Sequence, residues 1–332
     1  MVKTLAIETS CDDTSLSIVS FDGQRFTNEK MTAYSQISNH QKYWWVVPEL
    51  ASRLHSEKII HLLEDIWLDQ INDVDFFSIT ASPGLPWSLI VGISSGYMLW
   101  NFLSKPMIEV NHISWHLFSI FVDRNMEEIQ FPIAVLSASW WHNEIYIVNR
   151  NKFDFPITKL WQTLDDAAWE SFDKVARFLW WSYPWWPWIS QKALLGKPND
   201  LVKFSRIFLK ADEFNFSFSW MKSQVYYLLK TLEKQNISLT DELINDICYE
   251  FQEAVVEVLA NKLIKAAKLY EVKSICIVWW VSASDRLFEY TISQRDKKLN
   301  KEIEVFRPVA KKYSMDNGAM IWVAWIMNFL NK

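Results

Sequence analysis

The feature that most limits what this 332-residue chain can become is a motif that occurs twice, two alternating strands joined by a polar turn. Residues 3–8 and 14–20 alternate apolar and polar side chains around Thr9-Ser10-Cys11-Asp12-Asp13-Thr14, the period of a half-buried strand. Residues 133–139 and 144–149 read as two further strands around Trp140-Trp141-His142-Asn143, matching the first hairpin in shape. A third strand, Ser274–Val278, runs into Trp279-Trp280-Val281-Ser282-Ala283-Ser284 and then a helix. Between these lie a helical period over 48–66, with Pro48 suited to a first turn. A strand at 75–81 leads through Ser82–Trp87 into a helix that runs to about residue 100. A short strand at 107–110 feeds a helix carrying His112 and His116. Thr240 is placed to N-cap a long helix, striped by Ile244, Ile247, Phe251, Val255, Leu259 and Leu263.

Strands alternating with helices predict an α/β protein, and the length suits two domains. Two βα lobes, each opening on a polar-turn hairpin, suggest the duplicated two-lobed fold of the actin, Hsp70 and sugar-kinase ATPases, with a ligand cleft between the lobes. The expected division is 1–130, joined by the C-terminal helix 316–332, against 131–315. With a net charge of −5 the chain has no bulk positive field, so a nucleic-acid partner would need a local patch or a second protein. Cys11, Cys248 and Cys276 are far apart and form no disulfide or zinc pattern. The opening strand has no secretory character, and the richest apolar stretch, LWWSYPWWPWI, is broken by two prolines. These features predict a cytoplasmic protein without a membrane segment.

Composition holds one anomaly. The chain has 20 Trp and only 6 Gly, where ordinary usage gives about 23 Gly, close to the two counts together. The tryptophans fall where turns need glycine, several as doublets such as Trp140-Trp141, Trp185-Trp186 and Trp279-Trp280. Glycine serves there because it alone takes positive φ freely and lets backbone approach a ligand. The expectation is that most of these tryptophans are glycine in the living protein, from a lineage that reads UGA as glycine.

Three constellations could carry chemistry. His112 and His116, at i and i+4, share one helix face, the spacing of a metal pair or of two ordinary buried histidines. Ile113 stands where a zinc protease would place its glutamate, so that chemistry lacks its base. Asp316 could N-cap the last helix or be a third ligand. Thr163 and Asp166 have capping-box spacing, and Asp166, Glu170 and Asp173 would share one face, either solvated or gripping a substrate hydroxyl. Read as glycine, the tryptophan turns would present amide groups as anion cradles.

Taken together, Ile7-Glu8-Thr9-Ser10-Cys11-Asp12-Asp13-Thr14, Val47–Arg53, Pro83-Gly84-Leu85, the His112/His116 pair, Asp165–Ala168, Phe172-Asp173-Lys174, Phe216–Ser219, Val281-Ser282-Ala283 and Asp316–Met320 resemble the tRNA threonylcarbamoyladenosine transferases. The likeness runs from residue 2 to about 327. At Trp45, Trp87, Trp140, Trp141, Trp186, Trp279 and elsewhere that family has glycine. The resemblance implies transfer of a threonylcarbamoyl group from threonylcarbamoyl-adenylate to N6 of the adenosine 3′ of the anticodon, with AMP released. It implies one divalent metal, iron or else zinc, on His112, His116 and Asp316. It implies adenylate contacts at Ser137, Ala138, Ser139, Trp140, Trp141, Asp173, Trp186 and Ser284. Its partners would be tRNA and accessory proteins, including an inactive paralogue and a small ATPase. Ser284 replaces the family's usual Asn, with a shorter reach. The rival reading is a nucleotide-dependent switch or binding subunit of the same fold without transferase chemistry.

Overall fold

Both hairpins form, and each seeds one five-stranded sheet; residues 13–21 and 133–138 are buried on both faces rather than one, because helices cover both sides of the sheets. The computed structural model describes all residues except 44, 67, 139–142, 152–154, 181–184, 207–214 and 330–332; the side chains of 68, 69, 114, 115, 185–187 and 324–329 also lie outside the description. In the first lobe β1 (Val2–Glu8), β2 (Asp13–Phe21) and β3 (Phe26–Ser35) form an antiparallel meander, followed by helix α1 (Pro48–Asp65), β4 (Phe76–Ser82), α2 (Pro86–Leu103), β5 (Met107–Asn111) and α3 (His112–Phe118). In the second, β6 (Ile133–Ala138), β7 (Asn143–Val148) and β8 (Ile157–Gln162) repeat the meander. Helices α4 (Ala168–Phe178), α5 (Trp185–Ala193), α6 (Ser219–Lys234) and α7 (Asp241–Leu269) follow, then β9 (Ser274–Val278), α8 (Asp285–Lys298), β10 (Glu304–Phe306) and α9 (Gly318–Phe329).

The sheet orders are β3-β2-β1-β4-β5 and β10-β9-β6-β7-β8. Within them β1, β4 and β5 are parallel, as are β6, β9 and β10. Read from the last strand of each meander, as β3-β2-β1-β4-β5 and β8-β7-β6-β9-β10, the two orders are the same, so the duplication suggested by the hairpins is present in the topology. The fold is a two-lobed α/β architecture. In such sheets ligands sit at the carboxyl ends of the parallel strands.

Local chemistry explains most boundaries. Pro48 and Pro86 open α1 and α2 after extended residues, where a missing N–H costs nothing. Thr240 accepts a hydrogen bond from the Leu243 amide at 3.2 Å, the expected cap of α7. The predicted stripe of α7 is inside, with Ile247, Phe251, Val255, Leu259 and Leu263 buried. Helix α7 is covered on further sides too, burying Val256, Ala260 and Ala267 against the second sheet and its helices. Strands β3 and β8 were not foreseen. Both are sheet edges with alternating or mostly exposed side chains, and charges such as Glu29 and Lys30 mask their period.

One apolar cluster belongs to both lobes. It gathers Ala6, Val19 and Phe21 from the first sheet, Phe118 and Phe121 after β5, Val135, Tyr146 and Val278 from the second sheet, and Met320 to Val323 of α9. The carboxyl edges of the two sheets are therefore held toward each other by a shared core. Among the described residues no helix is long and apolar enough to cross a membrane.

Candidate metal centre

Helix α3 begins where β5 ends, so its first residue, His112, stands at the carboxyl edge of the first sheet. Asn111 Oδ1 accepts the Ile113 amide at 3.0 Å and fixes that start. One helical turn later His116 lies on the same face. Their Nε2 atoms are 3.0 Å apart. Asp316 Oδ1 lies 3.1 Å from His116 Nε2 and 3.6 Å from His112 Nε2. Ligands about 2.0–2.1 Å from one tetrahedral ion would be separated by roughly 3.3 Å, which these three distances bracket.

Asp316 reaches this point because both sides of it are anchored. Upstream, the Ser282 hydroxyl donates to Ser314 Oγ at 2.7 Å. Downstream, the Gly318 amide donates to Ser15 Oγ at 3.1 Å. The cap of α9 is Asn317, whose Oδ1 accepts the Met320 amide at 3.1 Å. That corrects the N-cap reading of Asp316 and leaves its carboxylate free to face the histidines.

The residues present suit a cation. Asp316 Oδ1 is buried without a hydrogen-bond partner, a costly state unless something completes the site. Burial, and next the neighbouring His112, holds the His116 imidazole well below its ordinary range, so it stands neutral with a lone pair available. Burial works against charge on His112, but Asp316 and Glu8 outweigh it and raise that imidazole. Burial raises the Asp316 carboxyl, partly offset by His112. Burial first, then Asp316, raises Asp12, and burial with Asp12 raises Asp13 well above the carboxylate range. Crowded acidic groups of this kind are relieved by a divalent ion.

Sequence reasoning missed the site role of Glu8. It closes β1, is fully buried, and accepts the Ser10 amide at 2.5 Å and the Thr80 hydroxyl from the adjacent strand. His112 Nδ1 lies 3.4 Å from Glu8 Oε2 and 3.2 Å from Ser10 Oγ. A carboxylate only accepts, so it places the proton on Nδ1 and leaves Nε2 to face the centre. The signal was a charged residue ending an otherwise apolar strand.

The second-lobe candidates divide. Ser137 and Ala138 are buried at the end of β6, and Ser137 pairs in register with Val278 of β9. Ser284 caps α8, its Oγ accepting the Leu287 amide at 3.3 Å. All three share the carboxyl edge of the second sheet. Ser139, Trp140 and Trp141 lie outside the described residues, and for Trp186 only the backbone, within α5, is described. Asp173 is buried on α4, and burial above all pushes its carboxyl up to about 8, against the nearby Arg177.

The acidic face was misread. Helix α4 starts at Ala168 after an uncapped Ala167, so Asp166 precedes it. Thr163 Oγ1 accepts the Asn143 amide at 2.8 Å rather than closing a capping box. Asp166 pairs with Lys174 at 2.8 Å and with Lys222, and Glu170 with Lys174 at 2.7 Å. Only Glu170 and Asp173 share the helix, and Asp173 is not solvated. Asp165 ties α4 to the next segment by accepting the Phe218 amide at 2.9 Å and the Ser217 and Ser219 hydroxyls at 2.5 Å each.

Trp279 comes from the end of β9 across to the triad. Its ring stacks on His116 with centroids 3.5 Å apart and planes at 10°, and meets His112 edge-on at 5.6 Å. The two carboxyl edges thus meet at one place.

Comparison with known proteins fits this geometry. The pattern of the tRNA N6-adenosine threonylcarbamoyltransferase family matches residues 30–323. A protein of that name from Kosmotoga olearia is 37% identical over 328 residues, covering 96% of this chain and 91% of its own. One from Thermosipho africanus is 38% identical over 323 residues, covering 96% and 92%. A crystal structure of HypF from T. kodakarensis superposes with a TM-score of 0.60 at 12% identity over 99% of this chain, which spans 48% of that one, and speaks for the fold alone. The breadth of the family match, with its relatives' identities, places this chain in the tRNA N6-adenosine threonylcarbamoyltransferase family.

Proposed function

We propose that this protein transfers a threonylcarbamoyl group from threonylcarbamoyl-adenylate to N6 of the adenosine 3′ of the anticodon, in tRNAs reading codons that begin with A. The N6 nitrogen attacks the carbamoyl carbon, the bond from that carbon to the phosphate oxygen breaks, AMP leaves, and N6 loses a proton. The observation that carries this reading, beside family membership, is the buried convergence of His112, His116 and Asp316 at the meeting of the two sheets. A nucleotide switch without chemistry would have no use for such a ligand set.

His112, His116 and Asp316 would hold one divalent metal, iron rather than zinc; two imidazoles and a carboxylate suit either. Bound there, the ion supplies Lewis-acid stabilisation of a phosphate or carbonyl oxygen. Glu8 and Ser10 orient His112, and the anchored Asp316 segment keeps the third ligand in place. The adenylate would lie along the second sheet's edge against Ser137, Ala138, the 139–141 turn, Asp173, residue 186 and Ser284. Support comes from Ser137, Ala138 and Ser284 sharing that edge. The lobes would divide as 1–130 with 316–332, and 131–315.

With an acidic chain, tRNA requires a local basic patch or partner surfaces. An inactive paralogue and a small ATPase would assist in the cytoplasm, where tRNA is modified. The exposed apolar face of α2, with Ile90, Met98 and Phe102, supports a protein partner there.

The test is purified, metal-loaded protein with accessory proteins, threonylcarbamoyl-adenylate and tRNA transcripts, scored by AMP release and by mass spectrometry of the nucleosides. Modified adenosine that disappears on chelation is expected. Unmodified tRNA from fully loaded protein sinks the reading.

A further inference from the structure

We propose that position 279 is glycine in the protein as its own cell makes it, and that the indole written there obstructs the centre. Three observations at this residue agree. Its backbone sits at φ 64°, ψ −160°, a region essentially reserved for glycine. Its ring lies flat on His116 and edge-on to His112, filling the second lobe's approach to the triad. Its Nε1 is buried without a hydrogen-bond partner, unlike a tryptophan chosen for its place.

A second position repeats the backbone signature. Trp180 follows the last turn of α4 at φ 58°, and its side chain is 83% exposed. The residue just past a helix end is where glycine most often takes this left-handed conformation. Among the described residues, the other non-glycine positions with positive φ are Ser104, Asp123, Asn236 and Glu271. None of these is aromatic or β-branched. A bulky aromatic at positive φ is an outlier wherever it occurs, and here it occurs twice. Set beside 20 Trp against 6 Gly, the geometry agrees with UGA codons read as glycine in the source lineage and rendered as tryptophan in this sequence.

The consequence concerns the centre itself. With glycine at 279 the strand-to-helix turn would offer bare backbone to the triad, and the space now taken by the ring would be open to a substrate oxygen.

Two measurements test this. Protein purified from the native organism is digested with trypsin, and the peptide spanning residues 274–286 is sequenced by mass spectrometry. Glycine at 279 and 280 is expected; tryptophan at 279 overturns the proposal. Separately, the sequence as written and its Trp279→Gly variant are made in a standard-code host and titrated with Zn²⁺ against a chelator. The variant is expected to bind about tenfold more tightly or better, the scale on which the surroundings of metal-bound histidines act. Equal affinity overturns the obstruction. The second arm rests on the metal reading of the triad, the first does not. Glycine in the peptide with no ion bound by either version would therefore sink the metal reading while upholding glycine at 279.

Discussion

The two carboxyl edges face one centre, yet they are built of different material. The first lobe's edge is made of side chains: Glu8, Ser10, Thr80 and His112, packed in contact with one another. Glycines permit that closeness. A Cβ on Gly84 would fall 2.6 Å from the Ser10 carbonyl oxygen, and one on Gly318 2.8 Å from the Ser17 amide nitrogen. The second lobe's edge is made of turns, and where its turn is described an indole stands at positive φ. Side-chain chemistry survives in the identity of residues. Chemistry done by bare backbone is recorded only as glycine, and it becomes invisible where another residue is written.

If the first edge carries the chemistry, removing a ligand there should have the largest effect. Asp316→Ala should lose bound metal and lower transfer by roughly a hundredfold or more, several kcal/mol of transition-state stabilisation, with the circular dichroism spectrum unchanged. Metal content and AMP release check it; retained metal would mean the edge is not what holds it. Glu8→Gln should sharpen the comparison by weakening metal affinity about 10–100-fold, read by chelator competition, while Thr80→Val has a smaller effect of the same sign.

Packing on the first edge gives the next effect. Gly84→Ala should destabilise by about 1–3 kcal/mol in chemical denaturation, because backbone rather than a flexible side chain meets the new methyl. The last expected effect lies on the second lobe and is set by pH. The Asp173 carboxyl, raised to about 8 by burial, holds its proton more tightly folded than unfolded. Its contribution is intact below about pH 4 and is lost as pH rises toward 8. Asp173→Asn should therefore raise the melting temperature at pH 8 and do so progressively less as pH falls to 4. A gain independent of pH would remove burial of charge as its cause.

Much of this was legible beforehand. Alternation located β1 and β2, the likeness of a second polar-turn hairpin located β6 and β7, the run Ser274–Val278 located β9, and the Thr240 cap with its stripe located α7. The edge strands β3 and β8 were hidden because solvent-facing charges break the apolar period. The histidine pair was visible as an i, i+4 spacing, but nothing local marks Asp316, some 200 residues away, as their companion; only the family likeness joined them. The Thr163–Asp166 spacing misled because a capping box is a local preference, and here Thr163 is drawn to the neighbouring strand instead. Glu8 went unremarked because a strand-terminal acid is usually solvated, and only the packed fold shows it sealed against His112.

The segment carrying Asp316 crosses from one lobe to the other. On one side Ser314 is bonded to Ser282 of the second lobe, and on the other Gly318 is bonded to Ser15 of the first. Two ligands ride on the first lobe and the third stands two residues from a bond to each lobe, so a rotation that pulled on Ser314 would strain the third ligand against the other two. Ion binding and lobe position are then linked equilibria. An occupant of the cleft that favours one lobe position must change the ion's affinity, and the ion must change the occupant's affinity by the same factor.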